Sequence, residues 1–244
     1  MRKNLSDEKK NVIDILPRGI IVSCQALEDE PLHSPFIMSK MALAAKQGGA
    51  VAIRANSKKD ILAIKEEVDL PIIGILKKEY PNSEVFITPT IKEVIEIASS
   101  GVDIIALDAT SRTRPNGQNL KDLVAEINTK FPELLLMADC SNFEEGIYAQ
   151  ELGFDLVATT LSGYTRQTKE QPLPNIELIS KLAKSLEIPV IAEGGISTHK
   201  EAKSAFDVGA YSLVIGSAIT RPQLITKGFV EETKQYLDRF CAQK

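Results

Sequence analysis

The chain is poor in the residues that build metal, disulfide and membrane chemistry. It has two histidines, His33 and His199, far apart in sequence, and this leaves no metal-ligand cluster to expect. The cysteines Cys24, Cys140 and Cys241 have neither metal-ligand nor disulfide spacing. Cys24 has no histidine base near it in sequence, and no Ser/His/Asp arrangement stands out. No long basic run occurs, which argues against a nucleic-acid partner. No apolar stretch is long enough for a membrane span, so no membrane association is expected. The opening MRKNLSDEKK leads into no apolar segment, so no signal peptide is read there and residence in the cytoplasm is expected. Low-complexity linkers and short internal repeats are also missing from the sequence.

What remains is an ordinary globular composition. The 244 residues are 43% hydrophobic and 25% charged, with a net charge of −4. A single (β/α)8 barrel of roughly 250 residues fits this length. Short apolar runs recur along the chain: Gly19–Cys24, Ala50–Ile53, Pro71–Leu76, Val102–Leu107, Leu134–Ala138, Leu156–Thr160, Ile188–Ala192 and Ser212–Ile215. Most are too short for a helix and rich in β-branched residues, as buried parallel strands are. A ninth run, Val85–Ile87, reads as a loop-borne segment.

Between the runs lie helix signals. Ser34-Pro35 opens a stretch that stops at Gly48-Gly49. Thr90…Glu93, Ser141…Glu144 and Thr198…Glu201 read as capping boxes, with helix ends near Gly101, Gly153 and Gly209. Strand–helix alternation repeated about eight times predicts a parallel sheet with crossover helices. Eight units in this length favour a closed barrel over residues 17–244 rather than an open doubly wound sheet, a choice that periodicity alone does not make. Residues 1–16 form an N-terminal extension. The stretch 1–17 reads as an amphipathic helix whose Val12, Ile13, Ile15 and Leu16 cover the barrel floor. The last segment, 223–240, is amphipathic through Ile225, Phe229, Val230, Tyr236, Leu237 and Phe240. It either closes its own barrel or packs on a partner.

In such barrels the strand C-termini and the loops after them carry the chemistry. The runs here end on Gln25, Arg54, Lys77, Asp108, Asp139, Thr159-Thr160, Glu193 and Gly216-Ser217. Alternation puts Ile73, Ile75 and Lys77 on one face, and Ile191 with Glu193. Such polar ends also arise where a strand simply leaves the core, or where opposite charges form a structural ion network. Gly194-Gly195 and Gly216-Ser217 follow the seventh and eighth strands, where barrels of this class commonly hold phosphate. Glycine lets backbone N–H groups approach an anion closely. Arg221 lies just beyond, in reach of a phosphate or sugar oxygen.

Several longer stretches are distinctive: SCQALEDEPLH (23–33), MALAAKQGGAVAIRAN (41–56), PIIGILK (71–77), VFITPT (85–90), DIIALDAT (103–110), LMADCSNFEEG (136–146), TTLSGYT (159–165), VIAEGGI (190–196) and GSAITRP (216–222). Together they resemble the N-acetylmannosamine-6-phosphate 2-epimerase family from about residue 17 to the C-terminal helix. The resemblance implies a cofactor-independent barrel enzyme, usually a homodimer, acting on a phosphosugar in sialic acid breakdown. It implies Lys77 and Glu193 as catalytic residues, and Gln25, Arg54, Asp139 and Arg221 as sugar contacts. Phosphate would lie on the backbones of Gly194, Gly195, Gly216 and Ser217. Cys140 stands where many relatives carry an aliphatic residue.

The implied reaction inverts carbon 2 of the open-chain sugar, next to the aldehyde. Lys77 and Glu193 would flank that carbon, one removing its proton and the other returning one. Burial and the cation of Arg54 would depress the lysine for this task. Asp139 would orient Lys77 or bind a sugar hydroxyl. Two other classes fit the same barrel: another phosphosugar isomerase or a Schiff-base aldolase using Lys77, and a non-catalytic phosphosugar binder.

Overall fold

The computed structural model describes residues 11–241, and the side chains of Leu237 and Phe240 lie outside what it describes, as do residues 1–10. Eight parallel strands run in chain order: β1 Ile20–Cys24, β2 Ala52–Asn56, β3 Ile72–Ile75, β4 Ile104–Asp108, β5 Leu135–Asp139, β6 Leu156–Ala158, β7 Val190–Glu193 and β8 Ser212–Ile215. β1 pairs with β2 through Ile21↔Ala52 and with β8 through Ile21↔Val214, which closes the barrel. The helices are α1 Val12–Ile15, α2 Pro35–Gln47, α3 Lys58–Glu67, α4 Ile91–Ala98, α5 Leu120–Lys130, α6 Phe143–Glu151, α7 Ile176–Ser185, α8 His199–Asp207, α9 Ser217–Thr220 and α10 Pro222–Cys241. Among the described residues no helix is long and apolar enough to cross a membrane.

Strand alternation splits the core in two. Ile21, Ala52, Ile73, Ile104, Leu135, Leu156, Ile191 and Val214 point inward and fill the barrel. The outward residues, such as Val22, Ile53, Ile72, Ile105 and Val157, meet the helices. Each fully buried Ile, Leu or Val stabilises the fold by roughly 1.5–3 kcal/mol. Gly74 of β3 exists because a Cβ there would press on Ile97 and Val102. The barrel floor is sealed by Leu16, which is fully buried in the inner cluster, with Val12 and Ile15 packed beside it. The Tyr211 hydroxyl donates to the Leu16 carbonyl at 2.8 Å and pins the plug. Of the amphipathic helix expected over residues 1–17, the described part is one short turn, Val12–Ile15, capped by Asn11, and residues 1–10 lie outside the described residues.

The capping boxes at Thr90 and Thr198 form as expected. The third is shifted by one residue. Asn142 caps α6, accepting from the Glu145 N–H, because asparagine caps as well as serine and sits one step nearer the helix. Glu145 then turns back to Ser141, whose N–H and hydroxyl both donate to it. Gly101, Gly153 and Gly209 take positive φ just past their helices. Strand boundaries also move. β2 continues through Arg54 to Asn56, because that charge is paired inside the fold. β3 stops two residues before Lys77, which instead makes one antiparallel bridge to Ile87 of the loop-borne apolar run.

Candidate active site

A cavity of about 1100 Å3 opens at the C-terminal end of the barrel. Gln25, Arg54, Lys77, Glu193, Gly194, Gly195, Gly216, Ser217 and Arg221 all line it, contributed by β2, β7, the segments after β1, β3, β7 and β8, and α9 with the residue that follows it. Asp139 is placed behind them. It is fully buried and grips Arg54 through two bonds, Nη1 to Oδ1 at 3.0 Å and Nη2 to Oδ2 at 2.6 Å. Its carboxylate therefore orients Arg54, not Lys77. Asp108 ends β4 at the same barrel end, yet Arg112 and Thr110 take up its carboxylate and it does not reach the cavity.

Arg54 is the hub. Its Nη1 also donates to Glu193 Oε2 at 2.9 Å. A buried guanidinium between two carboxylates stays charged, and its pKa is held above the usual arginine value despite burial. Glu193 keeps 14% of its side chain exposed, so its carboxylate meets the cavity while resting on Arg54. Two consecutive threonines hold it. Thr159 Oγ1 accepts from the Glu193 N–H at 3.1 Å and donates to its carbonyl at 2.9 Å. Thr160 Oγ1 lies 3.1 Å from Glu193 Oε2 and 2.6 Å from Asp139 Oδ1.

Lys77 is fixed by its backbone: its N–H donates to the Asn56 side-chain oxygen at 2.8 Å. Burial pulls its pKa from the ordinary 10.5 down to about 8; Arg54 and Arg221 add to this and Glu193 and Glu30 oppose it. Burial pushes Glu193 from 4.5 up to about 7; Arg54 opposes the shift and Asp139 adds to it. The site thus holds one amine and one carboxyl that both change protonation near neutrality.

Glycine turns and one arginine also line the cavity. Gly194 and Gly195 take φ of +108° and +72°, which L side chains rarely adopt. Gly216 precedes the short helix α9, whose first N–H groups have no intrahelical acceptor. Arg221 is held by Glu30, Nε to Oε1 at 2.6 Å and Nη2 to Oε2 at 3.0 Å, and its Nη1 donates to Ser217 Oγ at 3.1 Å. Glu30 and the role of Thr160 were not readable from spacing. Glu30 sits inside a distinctive stretch, but its partner is 191 positions away.

This arrangement suits proton transfer on a phosphorylated molecule, and comparison with known proteins agrees. Residues 38–235 match the family described as "Putative N-acetylmannosamine-6-phosphate epimerase". A Clostridium perfringens protein named as such a 2-epimerase is 57% identical over 223 residues, covering 91% of this chain and all of that protein. A Listeria innocua protein of the same name is 53% identical over 227 residues, covering 92% and 98%. The solved structure of the N-acetylmannosamine-6-phosphate 2-epimerase from Clostridium perfringens superposes with a TM-score of 0.87 at 56% identity, covering 91% of this chain and 96% of that one. The chain belongs to the N-acetylmannosamine-6-phosphate epimerase family.

Proposed function

We propose that this chain interconverts N-acetylmannosamine 6-phosphate and N-acetylglucosamine 6-phosphate, in the breakdown of sialic acid. The observation that carries the reading is the pairing of Lys77 and Glu193 in one cavity, with pKa values drawn toward each other from opposite sides. Inversion at carbon 2 needs one group ready to take a proton and another ready to give one. Carbon 2 lies next to the open-chain aldehyde, so loss of its proton leaves an enolate. Arg54 and Lys77 supply positive charge for the developing anion. Neutral Lys77 with protonated Glu193, or charged Lys77 with ionised Glu193, each form a competent base–acid pair. The two directions of the reaction use these two states.

Gln25 and Arg221 contact the sugar in this reading, and Asp139 acts through Arg54. The phosphate rests on the backbones of Gly194, Gly195, Gly216 and Ser217, where positive φ and free helix-start N–H groups favour an anion. No cofactor enters the scheme, because the proton is acidified by the substrate's own carbonyl. A doubly charged phosphosugar does not cross a bilayer, which supports residence in the cytoplasm. Residues 17–244 act as the catalytic barrel and residues 1–16 as an N-terminal extension, whose Val12, Ile15 and Leu16 close the barrel floor.

A homodimer also belongs to this reading. Most of α10 is solvent-exposed, with Leu224, Phe229, Val230 and Tyr236 uncovered; Phe229 is 72% exposed. A second copy of the chain would bury this apolar face, and light scattering in solution measures it.

The deciding experiment follows N-acetylmannosamine 6-phosphate by NMR in heavy water. Conversion with deuterium entering carbon 2 is the expected result. A stable substrate signal, with no conversion, would sink the epimerase reading. Borohydride trapping of a Lys77 adduct would point to an aldolase instead.

A further inference from the structure

Thr160 Oγ1 and Arg54 Nη1 both bridge the same two oxygens. The hydroxyl is 2.6 Å from Asp139 Oδ1 and 3.1 Å from Glu193 Oε2. The guanidinium nitrogen is 3.0 Å and 2.9 Å from them. Arg54 has two hydrogens on that nitrogen and serves both acceptors. Thr160 has one. With Glu193 ionised, two carboxylates compete for a single hydroxyl hydrogen, so only one bond forms. With Glu193 protonated, its O–H donates to Thr160 Oγ1, and the threonine hydrogen goes to Asp139. Two bonds then form in series, the second charge-assisted. The shorter distance on the Asp139 side suits this second state. Asp139, fully buried with both oxygens on Arg54, is the accepting end of the series.

We propose that Thr160 is a positioning residue for proton transfer at Glu193, its hydroxyl passing the hydrogen bond of the protonated carboxyl on to Asp139. It deepens the epimerase reading and rests on it. No bond to Thr160 breaks: the proton moves between Glu193 and carbon 2, and the threonine hydroxyl turns between its two acceptors. The groups facing Glu193 are Arg54 from β2, Lys77 beyond β3, Asp139 from β5 and Thr160 beyond β6. β8, on its other side, offers Ser212–Ile215 and no charge. The backbone of Glu193 is held separately by Thr159, so removing the Thr160 hydroxyl leaves that clamp in place.

The test compares the full-length protein with Thr160→Val and Thr160→Ser. Glutamate labelled with 13C at the side-chain carboxyl reports the Glu193 titration by NMR, assigned by its loss in Glu193→Gln. Thr160→Val should lower the midpoint by about one unit, because the protonated form loses more bonds than the ionised form. Thr160→Ser should match the unsubstituted protein. A hydroxyl that only donated to the carboxylate would hold the pKa down, so a midpoint that rises on Thr160→Val overturns the proposal. An unmoved midpoint, or serine behaving like valine, overturns it too. In turnover, Thr160→Val should lower kcat roughly tenfold with KM within about twofold. A raised KM at unchanged kcat would make Thr160 a sugar contact instead and overturn the positioning role. If valine does not fold, Thr160→Ala takes its place. Should the unsubstituted protein show no epimerisation, the functional reading fails, and the titration still decides on Thr160.

Discussion

Arg221 lies in the bidentate grip of Glu30, which reaches it from the loop between β1 and α2. The same guanidinium touches Ser217 beside the glycine loop, so Glu30 fixes it at the cavity mouth. Arg221→Met should raise KM for the phosphosugar at least about tenfold, with a smaller effect on kcat. Glu30→Gln should raise KM by a smaller factor. It should also move the alkaline limb of the pH profile downward, since the Glu30 charge supports the protonated lysine. Steady-state kinetics across pH check both.

The rate should peak between about pH 7 and pH 8 and fall on both sides. Below this window Lys77 and Glu193 are both protonated and no base is available. Above it both are deprotonated and no acid remains. Because the two groups interact, the limbs belong to the pair as a whole. A profile that stays flat from pH 5 to 10 would remove the pair from the mechanism.

Lys77→Met should abolish turnover and stabilise the fold. The folded protein holds Lys77 near pKa 8 against an ordinary 10.5, which costs about 3 kcal/mol at neutral pH. Removing the amine should recover roughly 1–3 kcal/mol of that, read as a higher denaturant midpoint. The sign follows from proton binding. Between the two values the unfolded chain holds the extra proton, so the unsubstituted protein gains stability as pH rises from about 8 to 10.5. The advantage of methionine should shrink over that interval.

Gly195→Ala should destabilise the protein by at least about 2 kcal/mol and weaken phosphate-dependent binding. The residue has φ +72°, and an added Cβ would run into Leu173. Thermal unfolding with and without inorganic phosphate separates the two effects. Gly49 also has positive φ but open space around it, so Gly49→Ala should cost only about 1 kcal/mol and leave phosphate stabilisation unchanged.

The strand–helix alternation was legible because apolar runs and capping signals recur in step, whereas closure was not, since an open doubly wound sheet gives the same alternation. Ile73, Ile75 and Lys77 share a face by alternation alone, as do Ile191 and Glu193. The register of α6 was less so, since Ser141 and Asn142 are both good caps and only packing chooses between them. Side-chain partnerships were the hardest part. Arg54 and Asp139 are 85 positions apart, and Arg221 and Glu30 are 191 apart. Pairing at such separations follows from barrel closure and leaves no local pattern. Asp108 and Asp139 look alike as strand ends. They differ because Arg112, four residues on, captures the first, whereas Arg54 from β2 and Thr160 beyond β6 meet the second.

Among the described residues, Leu16 shuts the floor of the reaction vessel and leaves the doorway at its other end. With the floor plugged and the barrel interior packed, sugar, water and exchanging protons reach the cavity that Arg221 and Glu193 line from its open end. In the proposed reaction, substrate and product are epimers that share one phosphate seat, so each must vacate before the other can enter. Each sugar phosphate then acts as a competitive inhibitor of the reaction that starts from the other. As the mixture nears equilibrium, net flux slows through occupancy of the doorway as well as through the vanishing driving force.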